Sequence, residues 1–142
     1  MNILVSACLL GVNCRYNAVP AAAPGVLALM ERHTLIPVCP EQLGGLPTPR
    51  EPAEIQDGGV FSKSGMDVTE NYHRGAEETL CLAKLYGCKY AILKERSPSC
   101  GCSEIYDGSF SGMLTKGEGV TAALLTENGV MVLGESQVAK IP

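Results

Sequence analysis

Four short apolar runs alternate with stretches of helical periodicity, and this alternation constrains the fold more than any other feature of the sequence. The runs are interpreted as buried strands and lie at 2–7, 35–38, 90–93 and 130–133. The helical patterns between them cover 25–33, 67–86 and 119–127. A β-α-β-α-β-α-β order predicts a parallel sheet, because parallel neighbours need crossover connections and these are right-handed. We therefore expect a Rossmann-like, doubly wound α/β fold of about four strands, with helices on both faces.

Length and composition predict a single domain. The chain has 142 residues, of which 46% are hydrophobic and 18% charged, and this is enough for one aliphatic core. Eleven Lys and Arg face 15 Asp and Glu, without a basic run, which argues against a nucleic-acid polymer as partner. The apolar stretch 18–30 contains two prolines and is shorter than the roughly 20 residues that span a bilayer, so we expect no membrane association. The first residues lack the pattern of a signal peptide, so we expect a cytoplasmic protein.

Seven cysteines need an explanation, because an odd number suits metal binding or catalysis better than a disulfide framework. Cys8 follows the first predicted strand, Cys39 follows the second, and Cys100 lies a few residues after the third. The carboxyl ends of parallel strands share one edge of the sheet, so we expect these thiols to converge. Cys14, in the same loop as Cys8, could join or replace one of them.

Thiolates select iron-sulfur clusters, zinc or copper(I). A structural zinc site needs four ligands, usually in paired CxxC motifs, and the predicted site has no such pair. Three thiolates on a four-iron cluster leave one iron open as a Lewis acid for a soft atom such as sulfur. The other cysteines differ: we expect Cys81 and Cys88 to be packing residues, and the sequence leaves Cys102 open.

Polar residues lie beside the predicted thiol site. Glu41 is a candidate general base or proton carrier, although a solvated loop glutamate is an equal alternative. Ser97 is a candidate to hydrogen-bond substrate or water, or a turn residue before a proline. Among the nearby cations, we favour Arg15 over Arg50 as the group that neutralises a bound cluster.

Several segments of the chain resemble the thiouracil desulfidase family. They are SACLLGVNCRY at 6–16, CPEQLGGLPTPR at 39–50, SPSCG at 97–101, IYDGSFSG at 105–112 and GVTA at 119–122. The match spans nearly the whole chain, and the CPEQLGGLPTPR string is long enough to be specific. The resemblance implies the short, single-domain form of the family, over residues 1–142.

The resemblance also implies a cofactor and a reaction. The cofactor is an oxygen-sensitive 4Fe-4S cluster held by three cysteines, with the fourth iron free to capture the substrate's sulfur. The reaction is the hydrolytic, non-redox removal of sulfur from a small thiolated nucleobase such as thiouracil, which gives uracil and hydrogen sulfide. The matching positions are the ligands Cys8, Cys39 and Cys100, the reserve ligand Cys14, the proton-transfer residue Glu41 and its assistant Ser97.

Two other functions are compatible with the sequence. A non-catalytic iron-sulfur or zinc-binding module, acting as an accessory or sensor, would use the same thiols without turnover. A simple nucleotide-binding α/β domain ranks last, because the chain has neither a GxGxxG nor a GxxxxGK[ST] signature for phosphate binding.

Overall fold

The computed structural model describes residues 1–142 and has four parallel strands at its centre. The eight strands are β1 Asn2–Ser6, β2 Thr34–Val38, β3 Ala53–Gln56, β4 Gly59–Ser62, β5 Tyr90–Leu93, β6 Glu104–Tyr106, β7 Leu114–Lys116 and β8 Met131–Gly134. The four α-helices are α1 Pro24–Leu27, α2 Pro40–Leu43, α3 Thr69–Leu85 and α4 Val120–Glu127. Three 3-10 helices span Ala7–Leu10, Ala28–Glu31 and Glu135–Lys140.

The central sheet has the order β2-β1-β5-β8, and every neighbouring pair is parallel. From β1 the chain first moves to β2 on one side and later to β5 on the other. Such a reversal opens a crevice at the carboxyl ends of the two diverging strands. Pro37 lies in β2, where the edge position tolerates its missing N–H. The predicted four-stranded parallel sheet is confirmed.

Helices cover both faces of this sheet, as the sequence predicted. Ile3 and Val5 point to one face and pack with Val26 of α1. Leu4, between them, points to the opposite face and packs with Leu125 of α4. Each such side chain contributes about 1.5 to 3 kcal/mol when it is fully buried. The continuous apolar runs of the central strands β1 and β5 therefore reflect strands that are buried on both sides.

The connections from β2 to α3 and from β5 to α4 contain helix and strands that were not predicted from the sequence. The first forms α2 and the antiparallel hairpin β3–β4, and the second forms the hairpin β6–β7. The first hairpin turns at Asp57 and Gly58, which both have positive φ, as Asp-Gly favours in a two-residue turn. It packs on α3 through Val60 and Tyr72. No helix in the chain combines the length and apolar character that a membrane span requires.

Candidate active site

A cavity of about 540 Å³ lies at the carboxyl ends of β1, β2 and β5. All four cysteines that the sequence analysis assigned to this edge line it, and none of them forms a disulfide. The two polar candidates line it as well. The sequence-predicted residues that the structure brings together here are Cys8, Cys14, Cys39, Cys100, Glu41 and Ser97.

The local chain path explains how the thiols meet. Cys8 lies in the 3-10 helix directly after β1, and this helix ends at Gly11 in a left-handed conformation, with φ of 97°. The chain then turns back and buries Cys14. Cys39 immediately follows β2, and its Sγ lies 3.6 Å from the carbonyl oxygen of Cys14. The loops after β1 and β2 are thus in direct contact at their cysteines.

Burial and mutual contact favour the protonated form of three of these thiols. Burial, with the nearby charge of Glu41 adding to it, raises the pKa of Cys100 to about 12. A hydrogen bond with Cys14, together with burial, raises the pKa of Cys39. The same bond lowers the pKa of Cys14, but contact with Cys8 and burial outweigh it, so that the net shift is upward. Thiols of this kind lose their protons when a metal binds them.

The chemistry of the four thiols indicates which metal centre fits the cavity. No group of three His, Cys, Asp or Glu side chains is arranged to hold a single metal ion. A structural zinc ion takes four ligands in a closed tetrahedral shell, with each sulfur at about 2.3 Å. An iron-sulfur cluster spreads its thiolate ligands over several iron atoms. Free thiols that follow three different strands are the soft donors that an iron-sulfur cluster takes, so this donor set fits such a cluster.

Glu41 is held by two donors at one carboxylate oxygen. The hydroxyl of Tyr72 donates to Glu41 Oε1 at 2.8 Å, and Nε of Arg50 donates to the same oxygen at 3.1 Å. The pKa of Tyr72 is raised by burial and then by the charge of Glu41, so the phenol stays a donor. No protein donor bonds Oε2 of Glu41, and this side chain is 16% exposed. The carboxylate is therefore fixed through one oxygen and has the other available.

Arg50 is the cation that organises the site through its hydrogen bonds, whereas neutralisation of a bound cluster by Arg15 stays a prediction. Besides Glu41, the guanidinium of Arg50 donates to the carbonyl oxygens of Cys14 and Pro47, both at 2.9 Å. Its side chain is only 7% exposed. Arg15 also lines the cavity, but its guanidinium carbon lies 5.9 Å from the ring centre of Tyr16. A planar guanidinium with several donors is suited to joining separate loops in this way.

The hydroxyl of Ser97 has a defined direction of hydrogen bonding. Its Oγ accepts the backbone N–H groups of Ser99 and Cys100, both at 3.1 Å. A hydroxyl has two acceptor positions and one donor, so only the O–H proton is left for a further partner. Ser97 is thus a turn residue, and it can still donate a hydrogen bond to a molecule in the cavity.

The other three cysteines lie outside the cavity. Cys88 is buried, as expected, but Cys81 lies exposed on α3, so its interpretation as a packing residue was wrong. Cys102 does not line the cavity, and its Sγ lies 3.7 Å from Oε1 of Gln137. The contact of Tyr72 with Glu41 was missed, because helical periodicity identifies Tyr72 only as a buried position.

Comparisons with known proteins agree with this geometry. A family model described as 2-thiouracil desulfurase matches residues 3–137. The uncharacterized protein YbbK of Bacillus subtilis (strain 168) is 46% identical over 149 residues, covering 98% of this chain and 99% of YbbK. The solved structure of a 4Fe-4S-dependent thiouracil desulfidase, TudS, is 45% identical, covers 99% of this chain and 94% of its own, and superposes with a TM-score of 0.91. The chain therefore belongs to the 2-thiouracil desulfurase family.

Proposed function

We propose that this chain is a 4Fe-4S-dependent desulfidase that removes sulfur hydrolytically from thiolated pyrimidines such as thiouracil. The oxygen of water replaces the sulfur, and the products are uracil and hydrogen sulfide, without a change in the oxidation state of the carbon. The observation that carries the proposal is the convergence of four free thiols, a carboxylate and a hydroxyl in one cavity. Membership of the family and the likeness to TudS support it.

The cluster ligands in this proposal are Cys8, Cys39 and Cys100, with Cys14 as the alternative to one of them. Each of the three follows a different strand of the central sheet, and sites on rigid elements hold their geometry better than sites on free loops. When bound, a cluster with three protein thiolates supplies an open iron, which is a Lewis acid with affinity for sulfur.

Glu41 acts as the proton-transfer residue. Its Oε1 is occupied by Arg50 and Tyr72, so Oε2 takes the two protons of the attacking water one after the other. It passes each to the departing sulfur, which leaves as hydrogen sulfide when the C–S bond breaks and the C=O bond forms. General acid-base catalysis of this kind contributes about a hundredfold to ten-thousandfold in rate. Ser97 donates its O–H to the substrate or to the water, because its two acceptor positions are already used.

Anaerobic reconstitution with iron and sulfide tests the proposal. We expect about four iron and four sulfide ions per chain and sulfide release from 2-thiouracil or 4-thiouracil. Cys39→Ser should lose both the cluster absorption and the sulfide release. The matched control Cys81→Ser should keep both, because Cys81 is exposed and lies outside the cavity.

A second pair of variants separates catalysis from cluster binding. Glu41→Gln should keep the brown cluster absorption and lose most of the turnover, whereas Glu77→Gln, an exposed change on α3, should keep both. Full activity of Glu41→Gln would contradict its assigned role. Cluster uptake by the wild-type chain without sulfide release from any thiolated base would favour the non-catalytic module instead.

We further propose that residues 1–142 act as one α/β unit in the cytoplasm. All seven cysteines are free, and free thiols are typical of proteins in a reducing compartment.

A further inference from the structure

The hairpin β6–β7 contributes a part of the cavity wall that the proposed mechanism does not use. Its strands pair in antiparallel register, with Tyr106 opposite Leu114, and its tip lies within the IYDGSFSG segment. Tyr106, Phe110 and Gly112 all line the cavity. The hairpin therefore faces the same space as the thiols.

The backbone of this tip is left-handed at alternate positions. Gly108, Phe110 and Gly112 have φ values of 95°, 55° and 80°. Glycine adopts this region without cost, but for other residues it costs about 1 to 2 kcal/mol, and a bulky side chain there is uncommon. Two of the three positions carry glycine, so the turn itself gives no reason for a phenylalanine at the third. Strain of this kind is a pointer to function.

A buried carboxylate fixes the strained residue in place. Glu54 of β3 is 8% exposed, and its Oε1 accepts the backbone N–H of Gly108 at 2.9 Å and of Phe110 at 3.1 Å. It forms no ion pair, and a buried charge without a counterion is costly unless it is hydrogen-bonded. A Cβ atom at Gly108 would lie 2.6 Å from the carbonyl oxygen of Ile55. The tip is thus pressed against β3, and the backbone at Phe110 is held in place by Glu54.

Aromatic side chains are concentrated at this cavity. The chain has only five Tyr, two Phe and no Trp, yet four of these residues line it: Tyr16, Tyr72, Tyr106 and Phe110. The hydroxyl of Tyr72 is committed to Glu41. Stacking of a nucleobase on an aromatic side chain contributes about 1 to 3 kcal/mol, so Phe110, whose backbone is fixed by Glu54 and which lines the cavity, offers a platform for a flat ring.

We propose that Phe110 stacks on the heteroaromatic ring of the substrate and selects planar thiocarbonyl rings over non-planar thiocarbonyl compounds, with Glu54 as its positioning residue. This inference rests on the proposed function, because the ring must lie in the cavity that holds the cluster. The sheet edge then supplies the chemistry, and the β6–β7 hairpin supplies the recognition of the ring.

The first test replaces the ring and keeps the turn. Asparagine tolerates the left-handed conformation, so Phe110→Asn removes the stacking surface without adding strain. We expect its KM for 2-thiouracil to rise by about 5-fold to 100-fold, which corresponds to the loss of one stacking contact, while kcat changes little. Phe110→Tyr should restore the wild-type KM. Tyr86→Asn, which removes an exposed aromatic residue outside the cavity, is the matched control.

The second test uses a substrate that lacks planarity. 5,6-Dihydro-2-thiouracil keeps the thiocarbonyl and its flanking N–H groups but has a puckered ring. The ratio of kcat/KM for 2-thiouracil to that for the dihydro compound should fall in Phe110→Asn. It should fall likewise in Glu54→Ala, and recover in Glu54→Gln, which keeps an acceptor oxygen for the two backbone N–H groups.

The outcomes separate this inference from the proposed function. If the wild-type enzyme releases sulfide and Phe110→Asn has an unchanged KM and an unchanged substrate ratio, the stacking role is wrong and the desulfidase stands. If the wild-type enzyme releases no sulfide, the proposed function fails. Binding of uracil, measured by isothermal titration calorimetry, then tests the platform alone, and equal affinity of wild type and Phe110→Asn would overturn it.

Discussion

Glu41 shows how residues that are far apart in sequence meet at one side chain of the cavity. Tyr72 approaches from α3 and Arg50 from the connection after α2, and both donate to Oε1. One oxygen of the carboxylate is therefore used for positioning, and the other is available for a proton. This division needs both donors, because a single hydrogen bond would still let the carboxylate rotate.

Removing the phenol hydroxyl of Tyr72 tests whether it positions the carboxylate of Glu41. Tyr72→Phe deletes the 2.8 Å hydrogen bond to Glu41 and keeps the buried ring. Hydrogen bonds to charged groups contribute about 1.5 to 3 kcal/mol, so we expect kcat for thiouracil to fall by about tenfold or more with KM nearly unchanged. Steady-state sulfide release gives both constants, and the iron content should equal that of the wild type. Tyr86→Phe, at an exposed tyrosine, is the control; a loss of kcat that appears equally in this control would refute the positioning role.

At the scale of elements, two glycines let α2 and α3 touch backbone to backbone. A Cβ atom at Gly75 would lie 1.9 Å from the carbonyl oxygen of Pro40, and one at Gly44 would lie 1.9 Å from that of Asn71. The amide of Asn71 also donates to the carbonyl oxygen of Gly44 at 2.8 Å. The close approach brings Tyr72 of α3 within hydrogen-bond distance of the carboxylate on α2.

Gly75→Ala is predicted to lower the stability of the protein, although alanine has a higher helix propensity than glycine. Alanine is about 1 kcal/mol better than glycine in a helix interior, yet Gly75→Ala forces α2 away from α3, and overpacking costs about 1 to 3 kcal/mol. We expect Tm to fall by roughly 2 to 10 °C, with a loss of activity as Glu41 and Tyr72 separate. Gly25→Ala in α1 is the matched control, since its methyl meets only a Val138 methyl at 3.3 Å. A thermal melt in which Gly75→Ala is as stable as the wild type would contradict this packing.

A carboxylate also joins the end of β5 to the 3-10 helix at Glu135–Lys140. Glu95 accepts hydrogen bonds from the backbone N–H and the hydroxyl of Ser136, and these bonds lower the pKa of Glu95 below its ordinary value of 4.5. A lowered native pKa stabilises the fold above the unfolded-state pKa, and this contribution disappears as pH falls through the native value. The sequence alone would not suggest this link, because the two residues are 41 positions apart.

Because the pKa of Glu95 is lowered in the folded state, the difference in stability between Glu95→Gln and the wild type depends on pH. We expect this variant to have a slightly lower Tm than the wild type at neutral pH, with the difference shrinking once the pH falls below about 4. Thermal melts at a series of pH values measure this, with Glu77→Gln as the control because Glu77 is exposed on α3. A difference that grows as the medium becomes more acidic would show that the hydrogen bonds do not act through the charge.

Features that depend on local sequence patterns could be predicted, and features that depend on contacts between distant elements could not. The strands Tyr90–Leu93 and Met131–Gly134 could be predicted because each coincides with a local apolar run. The rule that parallel strands share one carboxyl edge then placed Cys8, Cys39 and Cys100 together, and all three line the same cavity. The strands β6 and β7, of three residues each, are too short for a periodic signal. The hydrogen bonds of Arg50 and Tyr72 to Glu41 join separate parts of the chain, and no local sequence pattern indicates them.

At the scale of the whole molecule, the central sheet and the two hairpins supply different parts of the cavity wall. Cys8, Cys39 and Cys100 come from the chain after three neighbouring strands, so their spacing depends on the packed sheet. Glu54 and Phe110 come from the two hairpins that lie beyond the sheet edge. A metal centre held by these cysteines would thus add a further link between segments that are distant in sequence, beside the contact of Cys39 with Cys14 and the hydrogen bond from Arg50 to Cys14.

This connectivity predicts that the cluster stabilises the fold as well as serving catalysis. A ligand that binds only the native state raises its stability by mass action, and metal centres held by thiolates couple strongly to folding. We expect anaerobic reconstitution to raise Tm by roughly 5 to 15 °C, since each kcal/mol corresponds to about 2 to 4 °C in a chain of this size. Amide hydrogen exchange should slow most in the loops after β1, β2 and β5.

The variants decide whether this stabilisation comes from the proposed ligands. Cys39→Ser should show no rise in Tm on reconstitution, and Cys81→Ser should show the full rise. The reason is that Cys39 lines the cavity and Cys81 does not. Chelation of iron from the loaded wild-type protein should reverse the change. The contribution of Cys14 is measured in the same way: if Cys14→Ser keeps the rise and Cys8→Ser loses it, Cys8 is the ligand. Equal Tm values for loaded and cluster-free wild-type protein would mean that the cluster does not bridge the three strand ends.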